Sequence, residues 1–440
     1  MRRCARRRPE RGRRNFSCLF VEKIRLAISG TTSLTHLLPA PITARVTSAE
    51  RIKDGYERRP YPGTDLGRLI KKGGSLPALK WMLALGRPGR PAPSRVLIAG
   101  CGTGVEAFIL RQRLPKAEIV AVDFSPRSIA TADRLQRTSR PKRPITFLAA
   151  DLADPGLAER TGGHFDLISC HGVLSYVPDP GPVLKNLAAC LSPGGAVYLG
   201  VNGGAHPATA LRPWLAGFGL AVDALKDERR LRELLGLWDT LHDEGGGELA
   251  TMSASYLASD ICGAHFNNWP LDQWRTAAAR AGLEIAGTDI LPMALRLTMD
   301  RDQHRFFFPG SPGEVAARMD QLRPAGFHRI MLRPVETGGL IQAFDRTPGQ
   351  SVQWTDLYSA RFRKSNGGRT MIVVLSCAIF HLRLEWTLTL AQTKALLQLI
   401  ETGAASPADL KPWTRTEAGR RLLWLWSALG AIAVNAPTRA

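Results

Sequence analysis

Three glycines at alternate positions, Gly100, Gly102 and Gly104, interrupt the segment RVLIAGCGTGVEA, residues 95–107, between an apolar run and a resumption at helical spacing. Such glycines tolerate positive φ and carry no Cβ, so the backbone can turn sharply and a ligand can lie against it. Cys101 and Thr103 complete the loop, and the helix that starts after it would aim unpaired N–H groups at that ligand. A second apolar run ends in Asp123, nineteen residues beyond Gly104. A carboxylate there can accept from both hydroxyls of a ribose. Phe124 beside it offers an aromatic face to an adenine. The chemistry these residue types allow is the binding of a nucleoside cofactor. A dinucleotide fingerprint would need a further glycine at 105, where this chain has Val105, which argues against a NAD-type oxidoreductase.

Those groups need a scaffold, and the spacing supplies one. Five apolar runs begin near Arg95, Ala117, Ile145, His164 and Leu191, and most end in polar residues: Asp123, Asp151, and Ser169 with His171. Strands alternating with helices predict a doubly wound, Rossmann-like α/β sheet with its site at the topological switch point.

In order and spacing, VLIAGCGTGVEA, AVDFSP, ADLAD, FDLISCHGVLSYVPDP and LSPGGAVYLGV resemble the class I S-adenosyl-L-methionine (SAM)-dependent methyltransferases, over roughly Tyr56 to Gly287. The resemblance implies a seven-stranded sheet whose last strand is antiparallel. It implies that Gly100, Gly102 and Gly104 run beneath the methionine part of SAM, that Asp123 holds the ribose, and that Asp151 with Leu152 flanks the adenine. Many members carry an acid two residues before the first glycine, where this chain has Ile98, and Glu106 is the nearby substitute. A narrower resemblance, carried by YERRPYP at residues 56–62 and by a long C-terminal extension, is to a bacterial subgroup that includes protein lysine methyltransferases. Proline stiffens that segment, and its tyrosines suit either a lid over a sulfonium or a packed turn.

Methyl transfer asks mainly for alignment of the acceptor and exclusion of water, so no catalytic triad is expected. His171, at the end of the fourth strand, is the candidate acid or base, with the capping of that strand end as its alternative role. Tyr176 and Ser175 are candidates to line the same pocket. The turn has neither the D/N-P-P-Y segment of nucleic-acid amino methyltransferases nor a Pro-Cys pair. The expected acceptor is therefore a protein side chain or a small molecule, with no specific nucleic-acid partner. A noncatalytic binding or regulatory protein on the same fold is the alternative reading.

The chain has 440 residues, a net charge of +21 and 44% hydrophobic residues. Its longest apolar stretches fall short of the roughly 20 residues a membrane span requires, which predicts a soluble protein. Seven scattered cysteines show no C-x-x-C pair and no metal-ligand spacing with the nine histidines, so no metal is expected and the thiols suit a cytoplasmic protein. Cys101 reads as a packing residue. Much of the charge lies in residues 1–25, where eight arginines precede Phe16. Residues 1–48 read as a disordered basic tail and linker, 49–299 as the methyltransferase domain, and 300–440 as an accessory module, α/β or winged-helix-like. An insertion at about 205–265 is expected to cover the carboxyl ends of the strands and to shape the acceptor pocket.

Overall fold

Apolar runs buried on both faces form parallel strands, and here they build the centre of a mixed sheet. The computed structural model describes residues 48–63, 66–73, 76–220, 224–242, 249–298, 310–335, 351–365 and 367–435. The arginine-rich tail, Cys4, Cys18 and Gly245–Gly247 lie outside the described residues.

Strands β1 (Arg95–Ala99), β2 (Glu118–Asp123), β3 (Thr146–Ala149), β4 (Phe165–His171), β5 (Leu191–Asn202), β6 (Leu283–Thr288) and β7 (Phe327–Pro334) form one sheet. Their order is β3-β2-β1-β4-β5-β7-β6. The first five pair in parallel, whereas β7 is antiparallel to both β5 and β6. Val96, Leu97 and Ile98 have no exposed surface, as a central strand requires. Strand order reverses beside β1, and the carboxyl ends of β1 and β4 part there to open a crevice.

Local chemistry sets where the helices begin. Ser125 caps the helix Pro126–Ser139 by accepting from the Ser128 N–H, and Asp179 caps Pro180–Ala189 by accepting from the Gly181 N–H. In both, proline occupies the first helical position, where its missing N–H costs nothing.

The seventh strand comes from beyond residue 299, so a boundary there separates two paired strands, β6 and β7. In FHRIMLRP only Ile330, Met331 and Leu332 make a buried apolar run, too short to stand out between arginines. Beyond β7 the chain is α/β. Strands β8 (Ser351–Trp354), β9 (Ser359–Lys364), β10 (Thr370–Cys377), β11 (Leu382–Thr389), β12 (Ala404–Ala405) and β13 (Ile432–Asn435) form two three-stranded sheets, β11-β10-β9 and β12-β8-β13. The apolar stretch 418–434 divides between a helix Glu417–Ala428 and strand β13, because Gly430 adopts φ 76° between them. One hydrophobic core runs through the main sheet and this extension. Trp81 meets Phe380 edge to face at 6.2 Å, and Leu85 packs against Gly287 of β6 and Gly430 of the extension.

The insertion has a core of its own. Leu211, Leu231, Leu235, Leu257 and Ile261 are fully buried against one another, within the helices Pro207–Gly217 and Glu228–Leu241 and a π-helical turn Leu257–Ile261. Asn267 ties its end to the sheet: the Asn267 N–H donates to the Ser175 carbonyl at 2.6 Å, and its side chain donates to the Leu174 and Val177 carbonyls.

Candidate functional site

The glycine loop takes its shape from its neighbours. Gly100, Gly102 and Gly104 all have positive φ, at 77°, 51° and 90°. A Cβ on Gly100 would fall 2.4 Å from a Val173 methyl, and one on Gly102 2.3 Å from the Tyr61 carbonyl oxygen. The YERRPYP segment therefore packs directly on the loop. The Thr103 N–H donates to the Tyr61 carbonyl at 3.1 Å and the Thr103 hydroxyl to the Pro62 carbonyl at 3.0 Å. The helix Val105–Arg113 starts immediately after Gly104.

These elements enclose a cavity of about 460 Å³ at the carboxyl ends of β1, β2 and β4. Gly100, Cys101, Gly102, Asp123, Phe124, Asp151, Leu152, His171 and Tyr176 line it, as do Tyr56, Tyr61 and Glu106. Thr103 and Gly104 stand behind the lining, one holding the YERRPYP segment and the other starting the helix. The walls between the polar groups are apolar, with Leu76, Val105, Ile109, Val177 and Val183 among them.

Asp123 is almost fully buried and already accepts from the Gly102 N–H at 2.8 Å and the Ser125 N–H at 2.9 Å. Burial raises its pKa, and those two hydrogen bonds oppose the rise. Each carboxylate oxygen has a second lone pair for a ligand hydroxyl. Phe124 is held edge-on by Tyr56, ring centroids 5.8 Å apart. Asp151 turns back on its own loop, accepting from the Ala153 N–H at 2.8 Å.

Glu106 is a second carboxyl of the cavity, half-buried. It accepts from the Ser169 hydroxyl of β4, and burial pushes its pKa up to about 7 against the pull of that hydrogen bond. It lies in the first turn after the glycine loop and is bonded to β4, whereas Ile98 is fully buried in the sheet.

His171 projects from the end of β4 with Nδ1 2.7 Å from the Tyr198 hydroxyl. Burial, aided by Arg329, pushes its pKa down to about 4, so the ring is neutral at physiological pH rather than poised near neutrality. A Cβ at Gly200 would lie 2.3 Å from His171 Nδ1, so β5 admits this ring only beside glycine. Burial also raises the thiol pKa of Cys101 and of Cys170, which makes both poor nucleophiles.

Tyr176 brings in a residue that sequence reasoning missed. Its hydroxyl donates to Asp260 Oδ1 at 2.6 Å, while Asp260 Oδ2 is buried with no hydrogen-bond partner among the described residues. Burial raises the Asp260 pKa to about 6, opposed by the bonds from Tyr176 and Ser259. Asp260 lies in the π-helical turn, an irregularity frequent at functional sites, but nothing in the string ASDICG reveals it. A second cavity, of about 220 Å³, adjoins the first and shares Ile52, Tyr56 and Tyr176 with it. Among the described residues, no group of acidic, histidine and cysteine side chains could hold a metal ion, and no helix is long and apolar enough to cross a membrane.

Residues 97–197 match the family model described as a methyltransferase domain. An uncharacterised protein of Synechococcus sp. is 34% identical over 171 residues, 37% of this chain and 37% of that protein. The ubiquinone biosynthesis O-methyltransferase of Xanthomonas axonopodis pv. citri is 31% identical over 134 residues, 30% of this chain and 49% of that protein. The chain thus spans half or less of the length of these relatives. Among solved structures, PKMT2 from Rickettsia typhi in complex with AdoHcy aligns with a TM-score of 0.45 at 16% identity, over 81% of this chain and 75% of that one.

Proposed function

We propose that this chain transfers a methyl group from SAM to a protein side chain or a small molecule, a reading supported by the match of residues 97–197 to a methyltransferase domain. The observation that carries the reading is the cavity itself, where a glycine loop, Asp123 and Asp151 meet at the switch point of the sheet. Its donor set fits the cofactor: three carboxylates, from Glu106, Asp123 and Asp151, face a largely apolar space suited to a nucleoside with cationic groups. The O-methyltransferase among the relatives supports the same reaction class.

When bound, SAM supplies a methyl group made electrophilic by its sulfonium. The chain's residues then have to bind, orient and exclude water. Asp123 would accept from ribose hydroxyls, Phe124, Asp151 and Leu152 would frame the adenine, and Gly100, Cys101 and Gly102 would give the methionine part close backbone contact. Glu106 offers its carboxylate to a cationic group at the loop end. Tyr56 and Tyr176 stand where the two cavities meet, placed to align an acceptor atom. His171, neutral and held by Tyr198, serves as a hydrogen-bonding wall in preference to a proton carrier. The five cysteines of the described residues are all free, which supports a reducing compartment such as the cytoplasm.

Calorimetric titration with SAM, S-adenosylhomocysteine and NAD in parallel tests the cofactor. Binding of the first two alone is expected. Binding of NAD, or of none of the three, would overturn the reading.

A further inference from the structure

Methyl transfer to an oxygen or nitrogen that carries hydrogen releases a proton, and His171, neutral and held by Tyr198, is not its carrier. Tyr176 lines both cavities, and two neighbours fix the polarity of its hydroxyl. An ionised Asp260 can only accept, and it takes the hydroxyl hydrogen at 2.6 Å. The side-chain amide of Asn202, at the end of β5, donates to the same oxygen at 3.5 Å. Of the two lone pairs on that oxygen, one is left over, so Tyr176 offers a ligand an acceptor and not a donor.

The carboxyl behind Tyr176 has room for a proton. Its Oδ2 is buried without a hydrogen-bond partner, and among the described residues no cation pairs with Asp260 to hold it ionised. The titratable groups that face it are Tyr176 from the turn after β4, Tyr56 from the helix Ser48–Arg58, Tyr61 from the YERRPYP segment and Tyr256 from the insertion. Burial foremost raises the pKa of each phenol, and the charge of Asp260 adds to the rise, so all four stay neutral while Asp260 titrates.

We propose that Asp260, acting through Tyr176, is the proton sink of the reaction, and that the atom methylated is a hydroxyl oxygen or a neutral nitrogen that carries hydrogen, not a carboxylate oxygen. This deepens the methyltransferase reading and rests on it. In the step, the acceptor atom bonds the methyl carbon while the carbon–sulfur bond breaks and leaves its electron pair on sulfur. The acceptor's hydrogen passes to the Tyr176 oxygen and the Tyr176 hydrogen to Asp260 Oδ1, so a carboxylate and a sulfonium become a carboxylic acid and a thioether. Tyr176 is then the catalytic residue, and Asp260 a positioning residue behind it. A carboxylate in the acceptor's place would set its lone pairs against that of Tyr176 with no hydrogen between them, which disfavours the wrong partner.

The test uses the full chain, with and without saturating S-adenosylhomocysteine, and four ring-matched probes: phenol and aniline, which carry O–H and N–H, and anisole and benzoate, which carry neither. Binding is read by ligand-observed NMR. At about pH 7.5, phenol or aniline is expected to bind about tenfold tighter than anisole and benzoate, and comparing the two separates hydroxyl from amine acceptors. At about pH 5 Asp260 holds a proton it can donate to the Tyr176 oxygen, which frees the Tyr176 hydroxyl to donate in turn, so the margin of phenol over anisole is expected to disappear. Asp260→Asn does not titrate and is expected to show one margin at both pH values. Should that variant fail to fold, Tyr176→Phe is expected to abolish the margin. With SAM in place of its product, transfer to the probe that binds is expected to slow about hundredfold in Asp260→Asn, in kcat and not in KM. Equal or tighter binding of anisole or benzoate at the higher pH, binding of no probe, a wild-type margin that ignores pH, no transfer to a probe that binds, or undiminished transfer in Asp260→Asn would overturn the proposal. Failure of S-adenosylhomocysteine to bind would sink the cofactor reading alone, since probe titrations of the unliganded chain still decide the polarity of this site.

Discussion

The Tyr176 hydroxyl donates a 2.6 Å hydrogen bond to Asp260, joining the turn after β4 to the insertion across 84 positions of sequence. The bond fixes the ring that separates the two cavities, and it costs the fold a buried carboxyl whose other oxygen has no partner among the described residues.

That cost has a pH signature. The Asp260 pKa rises from 3.8 to about 6 on folding, so the folded state holds the proton more tightly than the unfolded chain. Its contribution to stability is then greatest below pH 4 and declines as pH rises through about 6. Asp260→Asn keeps an acceptor for Tyr176 and removes the titration. Relative to wild type, this variant should gain stability between pH 4 and pH 7, by about 2 to 3 kcal/mol at most. Melting temperatures of both proteins over that range check it, and a constant difference would refute the assignment.

Glu106 should make cofactor binding pH-dependent. With its pKa near 7, an empty site holds a proton that a cationic ligand group would displace. Affinity for S-adenosylhomocysteine should therefore rise with pH, approaching about tenfold per unit below pH 7 and levelling above it. Glu106→Gln should flatten this profile. Titrations in buffers of different ionisation enthalpy would detect the released proton, and an unaltered profile in the variant would exclude Glu106 as its source.

Asp123→Ala removes the acceptor assigned to the ribose and also the anchor of the Gly102 N–H. Two charge-assisted bonds to ligand hydroxyls imply a loss of about 3 kcal/mol, roughly a hundredfold in Kd for S-adenosylhomocysteine. Calorimetry on the folded variant measures it, and unchanged affinity would sink the ribose assignment.

Gly102→Ala combines two penalties, because position 102 has φ 51° and a Cβ there would meet the Tyr61 carbonyl at 2.3 Å. Stability should fall by about 1 to 3 kcal/mol, with S-adenosylhomocysteine binding largely lost. Gly403→Ala is the control: φ is 74°, but nothing lies within 4 Å of the added carbon. It should cost about 1 kcal/mol from backbone strain alone and leave the ligand's affinity intact.

Sequence alone determined the first five strands, the glycine loop and the cavity placement of Asp123, Asp151 and His171, because each depends on residues close in the chain. An apolar run buried on both faces and a glycine turn opening a helix are local patterns, and sheet topology carries their ends to one crevice. Tertiary structure decided the rest. Strand β7 has only three buried apolar residues in a row, and its place between β5 and β6 results from pairing with both. Glycine at 430, with φ 76°, ends the helix Glu417–Ala428 and lets the apolar chain continue as strand β13. Asp260 acquires its meaning only through proximity: Tyr176 meets it across 84 positions, and Tyr56 meets its neighbour Ser259 across 203. Burial, which shifted His171 away from neutrality and Glu106 towards it, belongs to the packed state and leaves no trace in residue type or spacing.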